Sequence, residues 1–91
     1  MKPSAHPVRG LLFVTERNKS AAIEAAREGA KLCNFPAAIE VYDLDKNTVA
    51  AEEWDIVAVP TLVLHRPPQS QRRVVGKFDA FRASQALDAK L

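Results

Sequence analysis

Any nucleophile, metal ligand or redox centre in this chain must come from very few side chains. Cys33 is its single cysteine, and His6 and His65 are its two histidines. A lone cysteine forms neither an intramolecular disulfide nor a Cys-x-x-Cys pair, and two distant histidines add no clustered ligand set for zinc. Cys33 falls on the apolar face of a helical stretch and reads as buried, unreactive filler. His65, beside Arg66 at the end of an apolar run, reads as a solvent-facing side chain. No Ser/His/Asp, Cys/His or paired-carboxylate arrangement stands out, and Gly10, Gly29 and Gly76 are too dispersed to cradle a phosphate. No catalytic residue, metal or cofactor is therefore expected, and the chain reads as a non-enzyme.

What remains is charge. The net value of +2 is too small to imply a polyanionic partner, but its distribution is uneven. Acids dominate Glu40 to Asp55 (Glu40, Asp43, Asp45, Glu52, Glu53, Asp55), opposed by Lys46 alone. From His65 to Arg82 the balance reverses, with Arg66, Arg72, Arg73, Lys77 and Arg82 against Asp79. Such asymmetry suits docking on a protein with patterned charge. A nucleic-acid surface on the same strip would need interleaved aromatics, and only Phe78 and Phe81 are there, so no nucleic-acid partner is expected. A homo-oligomer is left open.

The elements that must position these side chains follow from periodicity. At 91 residues, 47% hydrophobic and 26% charged, the chain reads as one globular domain over 8–91, with 1–7 as a flexible, proline-bearing N-terminal arm. No apolar run approaches the ~18 residues of a membrane span, and the single cysteine fits a reducing cytoplasm. Val8–Thr15 contains the unbroken run Leu11-Leu12-Phe13-Val14, the mark of a strand buried on both faces and central in its sheet. From Ser20 the period changes: Ala22, Ile23, Ala26, Ala30 and Cys33 share one helical face, with Asn18 or Ser20 as the cap and Asn34-Phe35-Pro36 as the stop. Ala38–Leu44 alternates as a strand, with Tyr42 exposed as a possible interface anchor. Thr48–Trp54 reads as a short helix weakened by Glu52 and Glu53 at its C-terminal end, where the helix dipole disfavours acids. Trp54 and Phe35 read as packing residues.

Pro60 opens a strand over Thr61–His65, Pro67-Pro68 stiffen a turn, and Arg72–Lys77 returns as the second arm of a hairpin ending at Gly76. Alternation turns Arg72 and Arg73 to opposite faces. Asp79 caps a last helix whose shared face is Ala80, Ala83, Leu87 and Leu91. The order β-α-β-α-β-β-α predicts an α/β fold with a mixed four-stranded sheet and helices on both faces. Two right-handed parallel crossovers are expected, followed by an antiparallel hairpin.

This order, with Val59-Pro60-Thr61 opening the third strand, resembles the thioredoxin fold, which implies a cis bond at Pro60. Redox members of that fold carry two cysteines in the loop after the first strand, where Glu16-Arg17-Asn18-Lys19-Ser20 stands here. A redox adaptor or single-thiol enzyme would have to work through Cys33 alone, and that is the competing reading.

A closer resemblance covers about Val8 to Phe78. Leu44-Asp45-Lys46-Asn47, Ala51-Glu52-Glu53, Ile56 to Leu62, and then Pro67-Pro68 with Arg72-Arg73-Val74-Val75-Gly76 are similar to the circadian-clock KaiB family and the related sensor domain of SasA kinases. Where that family usually follows its glycine with aspartate, Lys77 stands. The resemblance implies a non-catalytic module that docks on a KaiC-like P-loop ATPase or signalling kinase, in clock-related or stress signalling. Arg66, Arg72, Arg73, Lys77, Glu16 and Arg17 are the expected contacts, and Pro60 and Gly76 the structural, state-determining positions. It also implies an alternative packing of the C-terminal half, with the thioredoxin-like arrangement expected as the populated form.

Overall fold

A computed structural model describes residues 8–66 and 71–88. The N-terminal arm with His6, the Pro67-Pro68 turn and Leu91 lie outside the described residues. Seven elements follow in the expected order: β1 (Arg9–Val14), α1 (Lys19–Leu32), β2 (Ile39–Asp43), α2 (Thr48–Glu53), β3 (Thr61–His65), β4 (Arg72–Val75) and α3 (Ala80–Leu87). They build one sheet in the order β2-β1-β3-β4. The central place of β1 is the one its apolar run calls for, since Leu11, Leu12, Phe13 and Val14 are all fully buried.

Alternation along β1 and β3 divides the interior in two. Leu12, Val14, Leu62 and Leu64 face α1 and α3, packing on Ala22 and Ala26 of the first and Ala83, Ala86 and Leu87 of the second. Leu11, Phe13 and Val63 face the other way, against Ala50 of α2, with Tyr42, Leu44, Trp54, Ile56 and Val59 around them. Helices therefore cover both faces. Small residues let α1 and α3 approach closely: a Cβ at Gly29 would lie 2.5 Å from that of Ala83 and 2.8 Å from the Ala80 carbonyl oxygen.

The strand directions correct one expectation. β1 and β2 are parallel across α1, but β3 is antiparallel to β1, so α2 does not complete a second parallel crossover. The reason is how the chain is spent after α2. Trp54, just past that helix, lies edge-on to His65 at the far end of β3, whereas Thr61 at the start of β3 pairs with Phe13. The helix carries the chain along the sheet face, and Asp55–Pro60 carries it back. Its apolar residues Ile56 and Val59 pack beneath the sheet instead of joining it.

Two helices close on residues in the left-handed conformation. Asn34 (φ 54°) closes α1 in the left-handed conformation, with the Phe35 N–H donating to Ala30 O at 2.8 Å. Asp55 (φ 58°) closes α2 in the same way, with the Ile56 N–H donating to Ala51 O at 2.8 Å. Asn and Asp tolerate this region better than other residues with a Cβ, so α1 ends at the first residue of the expected Asn34-Phe35-Pro36 stop. α2 is better held than its acids suggest. The Ala50 N–H donates to Asn47 Oδ1 (3.3 Å), and the Arg73 guanidinium supplies a cation at the other end, donating to Trp54 O (2.6 Å).

Candidate protein-docking groove

The Val59–Pro60 peptide bond is cis, as the resemblance implied, and Pro60 is buried at the mouth of β3. Gly76, at φ 89°, takes a conformation open to glycine and strained for other residues, and its N–H donates to Pro60 O at 2.8 Å. That bond brings the turn after β4 alongside Pro60 and places Lys77 and Phe78 there. From the opposite side comes the β1–α1 loop. It is held by an Asn18 N–H donating to Thr15 O (3.1 Å), a Thr15 N–H donating to Asn18 Oδ1 (3.0 Å) and a Glu16 N–H donating to Asp45 Oδ2 (2.8 Å). Asn18 thus turns its side chain back into the loop and leaves α1 without a side-chain cap, unlike the expected cap at Asn18 or Ser20.

Between these pieces lies a groove of about 450 Å³. Its floor is apolar, formed by Ala21, Ala22, Val59, Pro60 and Phe78, and Arg17 and Lys77 stand with Asn18 among its walls. Among the described residues none that lines the groove carries sulfur. Cys33 is half-buried at the other end of α1, roughly 20 Å away along a 14-residue helix. Its thiol donates to Ala30 O (3.7 Å), and burial, then the Asp88 charge, push its pKa up, away from the reactive thiolate.

The other anticipated contact residues go elsewhere. Glu16 is on the outer side of the same loop, 3.5 Å from Lys19. Arg66, Arg72 and Arg73 belong to the far end of the β3–β4 hairpin, away from Lys77. The paired arginines do point to opposite faces, and each ties down a helix end. Arg72 Nη1 donates to the carbonyls of Gln85, Ala86 and Asp88 at the end of α3, while Arg73 donates to Trp54 O and Asp55 O at the end of α2. Periodicity did not reveal the groove's remaining members, since Asn18, Val59 and Phe78 come from three separate segments that only the tertiary fold brings together.

A second polar cluster lies on the α2 side of the sheet. Arg9 donates to both carboxylate oxygens of Glu40 (2.9 and 2.7 Å) and sits over the Trp54 ring at 5.8 Å. The Arg9 guanidinium holds the Glu40 carboxyl below its ordinary range. Tyr42, expected to be exposed, is instead half-buried, stacked on Phe13 at 5.2 Å and donating its hydroxyl to Glu40 (3.0 Å). Burial raises its pKa. His65, expected to face solvent, is half-buried and edge-on to Trp54 at 5.2 Å, with a buried Nδ1 that has no hydrogen-bond partner among the described residues. In each case a neighbouring ring covers the side chain, Phe13 of β1 for Tyr42 and Trp54 for His65.

Comparison with known proteins adds the lineage. A family model described as KaiB domain matches residues 11–88. Among solved structures, thioredoxin-2, a component of the malaria parasite protein secretion machinery, superposes with a TM-score of 0.65 at 20% identity, covering 91% of this chain and 82% of that one. Chloroplastic thioredoxin z gives 0.64 at 17% identity over 88% and 74% of the two chains. The germline-specific thioredoxin Deadhead from Drosophila melanogaster gives 0.59 at 21% identity over 92% and 80%. At these identities the likeness concerns the fold, which is thioredoxin-like. A search of curated protein sequences finds no match.

Proposed function

The chain belongs to the KaiB family, and from that premise we propose that it is a non-catalytic protein-binding module that docks on a KaiC-like P-loop ATPase or a signalling kinase. It works in the cytoplasm, in clock-related or stress signalling. The observation that carries this reading is the groove beside Pro60, where cations and an apolar floor stand at the loop in which thioredoxin-like redox proteins keep their thiols. An arginine and a lysine there attract and orient a partner, but form no covalent intermediate with it. Supporting it, no helix among the described residues is long and apolar enough to cross a membrane. Arg72 and Arg73 enter the reading as the residues that hold α3 and α2 in place around the docking scaffold, and Arg66 and Glu16 as outer contacts.

The test is direct association. The purified chain is mixed with the KaiC-like ATPase, or the histidine kinase, encoded in the same organism, and complex formation is followed by size-exclusion chromatography with light scattering. Co-elution at micromolar concentration is expected. Failure to associate with either protein, with and without nucleotide, overturns the reading.

A further inference from the structure

We infer that the groove beside Pro60 receives an extended acidic segment of the partner, in which carboxylates flank an apolar side chain. The inference rests on the docking reading and specifies its chemistry. Its basis is where the charges around the groove are committed. Lys19 is engaged by Asp43 at 3.3 Å and Glu16 at 3.5 Å. Asp45 accepts the Glu16 N–H, and Asp79 accepts the Arg82 N–H at 2.8 Å as the cap of α3. Every carboxylate on the neighbouring loops thus has a bond of its own. Arg17 and Lys77 are exposed and have no carboxylate within ion-pair reach among the described residues. The remaining acids of α2 and its C-terminal end, Glu52, Glu53 and Asp55, are exposed on the opposite face of the sheet from α1.

Two available cations above an apolar floor call for a ligand that is anionic at its edges and apolar between them. A small inorganic anion would satisfy Arg17 and Lys77 but leave Ala21, Ala22, Val59 and Phe78 wet. An extended peptide meets both demands, because alternate side chains of a strand point the same way and can be read separately. Val57, 93% exposed on the segment leading to Pro60, offers a further apolar contact just outside the groove. Complementary charge of this kind speeds encounter and sets register, and salt weakens it.

The experiment uses isotope-labelled protein, a peptide alternating glutamate with leucine, and a twin with glutamine for each glutamate. Amide shifts at Ala21, Ala22, Val59, Lys77 and Phe78 are expected with the acidic peptide, and weaker binding with its twin. Arg17→Glu and Lys77→Glu are each expected to weaken the acidic peptide by roughly two- to fivefold, with spectra otherwise native, since exposed ion pairs are individually modest. Equal binding of the twin, shifts confined to another face, or no shift at millimolar peptide would each overturn the inference. So would inorganic phosphate reproducing the full shift pattern at matched ionic strength. Co-elution with the ATPase that survives both charge reversals sinks the inference and leaves the docking reading standing. Groove binding of the peptide without any association with ATPase or kinase does the reverse.

Discussion

Arg9 and Glu40 show how far one ion pair reaches in a chain this small. The two-pronged contact also engages Tyr42 and faces Trp54, so it joins three elements on one side of the sheet. Because the Glu40 carboxyl is held below its ordinary range, its contribution to stability is fully present above that range and is lost as pH falls through the depressed folded value. Both side chains are more than one-third exposed (38% and 37%), so solvent screening limits the gain to at most about 1 kcal/mol. Urea unfolding of Glu40→Gln should show that difference at about pH 7 and a vanishing one at about pH 3. A difference independent of pH would exclude the pair as its source. This cluster was poorly legible in the sequence: Tyr42 alternated like an exposed residue, and Arg9 and Glu40 lie thirty-one positions apart. Only the β1–β2 register, with Leu11 opposite Glu40, makes them neighbours.

Among the elements, the contact between α1 and α3 depends most on residue size. Gly29 is unusual inside a helix, because an alanine there would gain about 1 kcal/mol of helix propensity. Its place is explained by Ser84 N and Ala80 O, which lie 2.7 and 2.8 Å from where a Cβ would stand. Those are backbone atoms and cannot swing aside, so Gly29→Ala forces the helices apart. The expected net loss is roughly 1–2 kcal/mol in denaturant unfolding, overpacking outweighing propensity. A variant as stable as the parent would show that α3 slides freely over α1. The apolar faces of both helices were readable from the 3.6-residue period, and Ala22, Ala26, Ala83 and Leu87 are buried as that period requires. Gly29 carries no hydrophobic signal, so its part in the contact was invisible to the same reasoning.

For the molecule as a unit, β1 is the shared wall of two interiors, and damage from either side should be comparable. Leu12→Ala, facing α1 and α3, and Phe13→Ala, facing α2, are each expected to cost about 2–5 kcal/mol. Val57→Ala should change stability by no more than about 0.5 kcal/mol, since that side chain is 93% exposed. A large loss on removing Val57 would mean that it belongs to the fold, and its part in docking would fall. The amphipathic order of the elements, the central β1 and the lack of sulfur in the first loop were all written locally, in runs, periods and single residue types, whereas the cis bond at Pro60 followed only from the resemblance of the whole pattern. The direction of β3, the burial of Tyr42 and His65, and the meeting of Arg17 with Lys77 across the groove were not. Side-chain periodicity dictates which face of a segment seeks the interior, and it carries no information on where a chain turns back. The return leg through Asp55–Pro60 and the Gly76 bond to Pro60 make that choice, joining residues sixty positions apart.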